Sequence, residues 1–468
     1  MKISHFAVTA LHGFIDIELS FRDDITVIVG RNGSGKTSAL NLIAQFLRLD
    51  IPALNKTQFS SAILVLHDEE IGKIKISVTS EDTERELCLQ IGDNKTSIPM
   101  SDSVDLTRLP SVEIRRLFLE AGDFARANAS TSLEKMRSEK LAWTSISKKF
   151  IDNVKLTFVR LDRTILAIDS EGRESMELLS KYTSKSTRTQ SLDPIDEVMR
   201  VTTQRFVEYK RRVEEIKSSA FKLLLGLHFE PIVVPSGRAK GGQSQLRSKL
   251  SQLRKRVEKS ALFSDSQDIQ KQMSDFFDSF QNLLPEVPTQ KKIGRRSLAE
   301  ESIQVLLAVK EKQIENLLTI FDNEQEEAAK AYSQIRSYLM AAAKFLKESG
   351  KILDFDASLQ LVFSIPNEPH DEHGKIRTRS LTELSSGERQ VIIVLTYLAF
   401  LAGEKSIFII DEPELSLHLR WQGYLIEALK TLRPKDCQVI VATHAPEIVG
   451  RSRQNVTLLA PSYLPKEV

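Results

Sequence analysis

Residues 25–37 read ITVIVGRNGSGKT, and this stretch decides the fold. Its first five residues predict a short buried strand that ends at Gly30. The glycines that follow let the backbone curl, so that successive N–H groups point into one cavity. Apolar residues at helical spacing come next, namely Leu40, Leu42, Ile43, Phe46 and Leu47. Strand, tight loop and helix in this order match the Walker A pattern.

The loop supplies the predicted nucleotide ligands, because its amides and the positive end of the following helix attract phosphates. Lys36 is expected to contact the β and γ phosphates, and Thr37 to bind Mg²⁺. The flanking strand and helix oppose the alternative of a coincidental glycine-rich turn. The predicted nucleotide-binding residues of this segment are Gly30, Arg31, Asn32, Gly33, Ser34, Gly35, Lys36, Thr37 and Ser38.

Length and composition restrict the class of protein. A chain of 468 residues suggests two to three folding units of about 150 residues each. The net charge of +2 indicates no overall preference for nucleic acid or membrane. Two cysteines exclude a disulfide framework and fit a reducing compartment. The amino terminus lacks a secretory signal, and the longest apolar run, residues 391–402, is shorter than the roughly 20 residues that span a bilayer. We therefore expect a cytoplasmic protein without membrane contact.

Periodicity predicts an α/β body whose two halves lie at opposite ends of the chain. Strand-like stretches at residues 62–66, 73–78 and 86–91 predict an antiparallel β subdomain, and residues 154–159 another strand. Beyond Gly350, strands alternate with helices, which predicts a mostly parallel sheet covered on both faces.

The middle of the chain has helical periodicity instead. Seven apolar residues there are spaced alternately three and four apart, as in a heptad seam: Phe206, Tyr209, Val213, Ile216, Ala220, Leu223 and Leu227. We predict a helical or coiled-coil insertion, with an ordinary helical bundle as the alternative. The predicted domains are residues 1–170, the insertion 171–350 and residues 351–468.

A second motif, IFIIDE at residues 407–412, is an apolar strand that ends in two carboxylates. The carboxyl ends of parallel strands are where such sheets place ligand-binding groups. Asp411 is predicted to hold Mg²⁺ in the Walker B role, and Glu412 to polarise the attacking water. The alternative is a strand merely capped by acids.

Residues 384–390 read LSSGERQ, in which Ser385 or Ser386 can cap a helix and Gly387 lets a phosphate approach. Together with Walker A, DEPELSLH at 411–418 and ATHAP at 442–446, this motif resembles the RecF, SMC and OLD-like branch of ABC ATPases. The nearest resemblance is to the stand-alone ATPases of Septu and PARIS anti-phage systems. It covers about residues 1–47 and 350–450.

The resemblance implies roles for particular residues. Glu412 and His444 would be catalytic, with His444 sensing the γ-phosphate, although a strand-end histidine can also simply pack. Leu415–His418 would be the D-loop. The LSSGERQ motif at residues 384–390 would be the signature motif of ABC ATPases. Four of its residues would complete the ATP site of an opposite subunit: Ser385, Ser386, Gly387 and Glu388.

The sequence departs from the family pattern at one position and leaves one family role unassigned. Glu388 replaces the glutamine usual in ABC transporters, a departure shared with the SMC-like branch that argues against transport. The glutamine-loop role stays open between Gln58, Gln90 and the stretch Arg160–Arg163.

The resemblance implies an ATPase that dimerises, or forms a higher homo-oligomer, around ATP and Mg²⁺. It would act as sensor and scaffold for a separate nuclease, of HNH or TOPRIM type, in anti-phage defence. The chain ends at Val468, soon after His444, so we expect no TOPRIM nuclease of its own.

Two alternatives remain, a RecF-like DNA repair or maintenance ATPase and a transporter's nucleotide-binding subunit. Residues 231–260 hold eight Lys or Arg and one acid, which predicts a site for nucleic acid or an acidic phage protein. A solvated helix face balanced by nearby acids is the competing interpretation.

Overall fold

The computed structural model describes residues 1–81, 84–100, 131–159, 165–168, 193–229, 243–259, 271, 274–275, 277–278, 298–368, 376–449 and 455–463. The chain divides into two compact units, one of Met1–Thr203 with Ser337–Val468 and one of Gln204–Arg336. The division predicted at residues 170 and 350 stays a prediction.

The described strands are β1 (Lys2–Leu11), β2 (Ile15–Ser20), β3 (Ile25–Val29), β4 (Ser61–Asp68), β5 (Gly72–Glu81), β6 (Glu84–Ile91), β7 (Asn94–Pro99), β8 (Leu156–Val159), β9 (Ile165–Ile168), β10 (Ile352–Phe355), β11 (Leu361–Ser364), β12 (Thr378–Ser380), β13 (Ile407–Asp411), β14 (Gln438–Thr443), β15 (Val456–Leu458) and β16 (Ser462–Tyr463). The described α-helices are α1 (Lys36–Arg48), α2 (Ile51–Lys56), α3 (Thr131–Asn153), α4 (Pro194–Phe229), α5 (Gln243–Lys259), α6 (Leu298–Leu346), α7 (Ser386–Thr396), α8 (Leu419–Leu432) and α9 (Pro446–Val449).

A six-stranded sheet in the order β15-β3-β14-β13-β8-β9 carries both Walker segments. Its pairs are parallel except the edge pair β8 and β9, so the prediction of a mostly parallel sheet is confirmed. All residues of β13 and β14 are buried, as expected for parallel strands covered on both faces. The register places Val29 beside Thr443 and Asp411 beside Ala442, so the carboxyl ends of β3, β14 and β13 meet at one edge.

A seven-stranded sheet in the order β16-β2-β1-β4-β5-β6-β7 forms the second layer. Its pairs are antiparallel, and the predicted stretches 62–66, 73–78 and 86–91 lie within β4, β5 and β6. Alternate residues of β4 are buried, as the period of two requires. These buried side chains join the apolar face of α1 in one core.

The start of α4 and the end of α6 are hydrogen-bonded to the segment that contains α7. Helix α7 continues into a π-helical turn, Tyr397–Leu401. The apolar run at residues 391–402 lies almost entirely within these two segments. The hydroxyl groups of Tyr338, on α6, and Thr396, on α7, lie 2.9 Å apart and are buried. Tyr397 donates to the carbonyl of Pro194, at the start of α4, over 3.4 Å. Both long helices are therefore tied to α7 inside the first unit.

The second unit is helical and has a small core of its own. Its heptad seam is buried at Ile216 and Ala220, but Leu223 is 58% exposed. The seam prediction is wrong at Leu223, because spacing defines a helix face but not what covers it. The coiled coil stays a prediction. The described core residues are Leu250, Leu253, Val257, Phe277, Ile314 and Phe321.

Candidate functional site

The Walker A loop has the geometry of a phosphate cradle. Gly33 and Gly35 have φ of 78° and 89°, a region that favours glycine. A Cβ at Gly35 would also lie 2.9 Å from Cδ1 of Ile17, so β2 leaves no space for a larger residue. Gly35 is the N-cap of α1, which aims the helix start at the loop. Arg31 and Asn32 are exposed at the loop tip.

Lys36 is held inside this loop. Its Nζ donates to the carbonyl oxygens of Gly30 at 2.9 Å and Arg31 at 3.0 Å, and the residue is only 4% exposed. A buried ammonium group with backbone partners is a fixed positive charge at the helix start. Lys36 therefore places a buried positive charge at the start of α1, beside the glycine loop.

Three side-chain oxygens at this edge of the sheet are buried without a hydrogen-bond partner among the described residues. They are Ser34 Oγ, Asp411 Oδ1 and Glu414 Oε2. Buried polar atoms are normally satisfied, so such a group of orphans indicates a polar ligand.

Asp411 and Thr37 fit a magnesium ion. Asp411 is 3% exposed, and the hydroxyl of Thr37 bonds to it. Burial raises the pKa of Asp411, and the charges of Glu412 and Glu414 raise it further against the Thr37 bond and Lys36. Carboxylate and hydroxyl oxygens are the hard ligands that Mg²⁺ prefers. The two predicted metal ligands, Thr37 and Asp411, are therefore in contact in the structure, although they are 374 residues apart in the sequence.

Glu412 leaves the strand in a strained conformation. Its φ of 47° lies in the left-handed region, which costs a non-glycine residue on the order of 1–3 kcal/mol. Its N–H donates to the carbonyl of Ala442 at 2.9 Å, which ties the turn to β14. Strain of this kind is typical of functional positions, and it supports the predicted role as general base.

Glu414, which the sequence analysis did not single out, contacts the predicted catalytic histidine. Its Oε1 accepts from Thr443 Oγ1 at 2.7 Å and from the His444 amide at 2.8 Å. His444 Nδ1 lies 2.9 Å from the same oxygen and 3.8 Å from Glu412 Oε1. The carboxylate thus holds His444 next to the predicted base. The available signal was a second acid, two positions after Glu412.

The signature turn begins a helix and faces solvent. Ser385 is the N-cap of α7 and forms a capping box with Glu388, while Ser385 and Ser386 are exposed. Unlike Ser385 and Ser386, Glu388 is only 3% exposed, and its carboxylate is bonded to Lys351 and Ser349 of the same chain, so the structure does not support its predicted contact with nucleotide. The exposed helix start is suited to an anion from another molecule.

The β1–β2 hairpin adds polar and aromatic groups near Walker A that the sequence did not single out. His12 Nε2 lies 2.8 Å from Ser38 Oγ. Phe14 is 45% exposed, and its ring stacks on Tyr463 with centroids 6.4 Å apart.

The glutamine-loop candidates lie in different places. Gln58 contacts the hairpin, where its carbonyl accepts from the His12 amide at 2.8 Å. Gln90 lies on β6 and donates to the Gly92 carbonyl. Arg160–Arg163 lies outside the described residues, after β8, whose last residue Val159 pairs with Ile410. The role stays open.

Three basic side chains of the run at residues 231–260 form ion pairs with acids of the same chain. Lys249, Arg254 and Arg256 pair with Glu315, Asp278 and Asp322 at 2.6, 2.7 and 2.6 Å. These ion pairs favour the balanced helix face over a free polyanion site. Residues 231–242 and 260 of the run are not described.

Comparisons with known proteins find similar ATPase sequences. The family described as AAA ATPase domain (AAA_15) matches residues 1–449. An uncharacterized ABC transporter ATP-binding protein of Haemophilus influenzae is 28% identical over 123 residues, which are 26% of this chain and 43% of that protein. UvrABC system protein A of Aquifex aeolicus is 40% identical over 85 residues, 18% of this chain and 9% of that protein. The aligned parts span less than half of either relative.

Among solved structures, the Smc head domain of Pyrococcus furiosus, with an extended coiled coil and bound to the C-terminal domain of ScpA, is similar. It matches with a TM-score of 0.36 and 13% identity, over 100% of this chain and 97% of that chain. In the part of the chain that the structure describes, no helix is long and apolar enough to cross a membrane.

Proposed function

Because this chain belongs to the AAA ATPase domain family and has the fold of an ABC-type P-loop ATPase head, we propose that two copies close around ATP and hydrolyse it. The observation that carries the proposal is the exposed serine turn at Ser385 and Ser386. Its helix start would bind the γ-phosphate held by the loop of the second copy. A single cradle supports the triphosphate from one side only, so the facing turn would complete the electrostatic site.

Each site residue has a role in this scheme. Lys36 and the loop amides bind the phosphates, and Glu412 takes a proton from the attacking water. Glu414 keeps His444 beside Glu412, where the imidazole reports on the γ-phosphate. Thr37 and Asp411 would hold Mg²⁺, which supplies charge neutralisation when it is bound.

The test is the oligomeric state of Glu412→Gln in ATP. A variant that binds ATP without hydrolysing it is expected to accumulate as a dimer in light scattering, and Lys36→Ala to stay unbound. Glu447→Gln, an exposed acid near the site, is the matched control and is expected to behave as the wild type. A monomeric Glu412→Gln protein in saturating ATP contradicts the scheme.

The biological role we propose is that of a cytoplasmic sensor and scaffold controlling a separate effector nuclease in anti-phage defence. Support comes from the resemblance of the motif set and from the presence of a second, helical unit, Gln204–Arg336. Co-expression with the neighbouring genes tests this role. A chain that never retains a nuclease on purification contradicts it.

The second candidate is a RecF-like ATPase that binds DNA through residues 231–260. Lys255 is exposed on α5 and supports it, whereas the ion pairs of Lys249, Arg254 and Arg256 oppose it. ATPase rates with and without duplex DNA decide between the two. Stimulation by DNA that disappears when Arg254, Lys255 and Arg256 are neutralised favours the DNA-binding role.

A further inference from the structure

A buried ion pair lies directly behind the signature turn. Nζ of Lys351 is 2.9 Å from Oε1 and 2.7 Å from Oε2 of Glu388. Ser349 Oγ donates to Oε1 at 2.8 Å, and the Ser385 amide donates to Oε2 at 2.8 Å. The side chains of Lys351 and Glu388 are 16% and 3% exposed, so solvent screens this pair weakly.

Lys351 is held in place by its surroundings. It follows Gly350, whose φ of 66° ends the 3₁₀ turn Lys347–Ser349 after α6, and its own amide donates to the Leu346 carbonyl at 3.2 Å. Its ammonium group lies 5.2 Å from the ring centroid of Phe363. The cation therefore has backbone, aromatic and carboxylate contacts that fix its position.

Glu388 carries its negative charge at an unfavourable place for an ATP site. It stands at the third position of α7, one turn from the exposed hydroxyls of Ser385 and Ser386. Burial would raise the pKa of Glu388, but the bonds from Lys351, the Ser385 amide and Ser349 outweigh it and lower the pKa to about 2. The group is thus a carboxylate at neutral pH, and a carboxylate repels a phosphate that approaches the same helix start.

We propose that Lys351 is a positioning residue of the ATP site, which neutralises Glu388 so that the start of α7 can accept the γ-phosphate of ATP bound by a second copy. The proposal rests on the proposed function. It assigns a role to a lysine that lies outside every recognised motif and more than thirty positions before the signature turn. It also gives a reason why Glu is tolerated at position 388.

The alternative is a purely structural pair that only holds β10 to α7. The two explanations differ in symmetry. A structural pair fails equally when either partner is removed, because each change leaves one buried charge without its counterpart. A neutralising role predicts that loss of the cation is harmful to ATP-driven association and that loss of the anion is not.

The experiment uses the full-length chain in the Glu412→Gln background, with dimerisation in ATP measured by light scattering and ATP binding by a fluorescent analogue. Lys351→Met is expected to weaken ATP-driven dimerisation by about tenfold or more, the effect of one uncompensated charge near phosphate. ATP binding by the single cradle is expected to stay as in the parent. Glu388→Gln is expected to dimerise as the parent does, and Lys351→Met combined with Glu388→Gln to recover dimerisation.

A surface pair supplies the control. Lys344→Met removes the cation of the pair with Glu427, which is 3.2 Å long and exposed, and is expected to change nothing. Equal loss in Lys351→Met and Glu388→Gln, or no recovery in the double variant, overturns the inference. If Lys351→Met does not fold, Glu388→Gln and the double variant still decide the question. Failure of the Glu412→Gln parent to dimerise refutes the proposed function instead.

Discussion

A Cβ atom at Gly387 would lie 2.5 Å from the carbonyl oxygen of Ser416, so the signature turn and the D-loop touch within one chain. Ser416 itself has φ of 70°, a left-handed conformation for a non-glycine residue. Gln422 Nε2 also donates to the neighbouring carbonyl of Leu417 at 3.2 Å. The signature turn and the D-loop therefore pack against each other, and we expect a larger residue at Gly387 to displace the D-loop.

Gly387→Ala is expected to abolish ATP-driven dimerisation while nucleotide binding by Lys36 and its loop persists. The methyl group meets backbone, which cannot move without shifting the D-loop. Gly423→Ala is the control, because its Cβ meets nothing and helical alanine is favoured over glycine by roughly 0.5–1 kcal/mol. Light scattering in ATP and a binding titration measure both effects. A dimerising Gly387→Ala protein would contradict the contact.

Glu414→Ala is expected to lower kcat without a matching change in KM for ATP. It removes the acceptor of Thr443 Oγ1 and of the His444 amide, and leaves His444 without its neighbour at 2.9 Å. Leaving buried donors unsatisfied also costs about 1–3 kcal/mol of stability. Steady-state ATPase and urea unfolding separate the two effects. A Glu414→Ala enzyme with wild-type kcat would remove Glu414 from the catalytic arrangement.

The stability of the protein is expected to depend on Glu388 at acid pH. The pKa of Glu388 falls from an ordinary 4.5 to about 2 in the folded chain. A lowered pKa contributes stability that is complete above pH 4.5 and is lost as the pH falls toward 2. Urea midpoints of wild type and Glu388→Gln should converge across this window. Midpoints that keep a constant difference from neutral pH to pH 2 would show that the carboxylate carries no such linkage.

Tyr338→Phe is expected to destabilise the first unit by about 1 kcal/mol, since it removes a buried hydroxyl pair. Tyr338 and Thr396 are both fully buried, and burial raises the pKa of Tyr338 far above its ordinary value. Combining Tyr338→Phe with Thr396→Val is expected to be nearly neutral relative to Tyr338→Phe, because both polar groups are then absent. Thermal unfolding measures the three variants. A strongly additive double variant would mean that the hydroxyls act independently.

Local sequence pattern predicted strands β3, β4, β5, β6, β8 and β13 and the helix α1 that follows the glycine loop. Strand β3, its glycine loop and α1 are consecutive, so backbone preference and apolar spacing specify them together. Pattern failed where burial depends on distant neighbours. Leu223 fits the heptad seam but is exposed, and Lys249, Arg254 and Arg256 look free in sequence but pair with acids on other segments.

The sequence by itself determined the phosphate cradle, the carboxylates after β13 and the serine turn before α7, because each depends on residues adjacent in the chain. Only the tertiary structure decided which distant groups meet them. Lys351 beside Glu388, Ser416 against Gly387 and Glu414 beneath His444 are such pairs. The two members of each pair come from different segments of the chain. Strand register and helix packing bring them into contact, and no local preference encodes either.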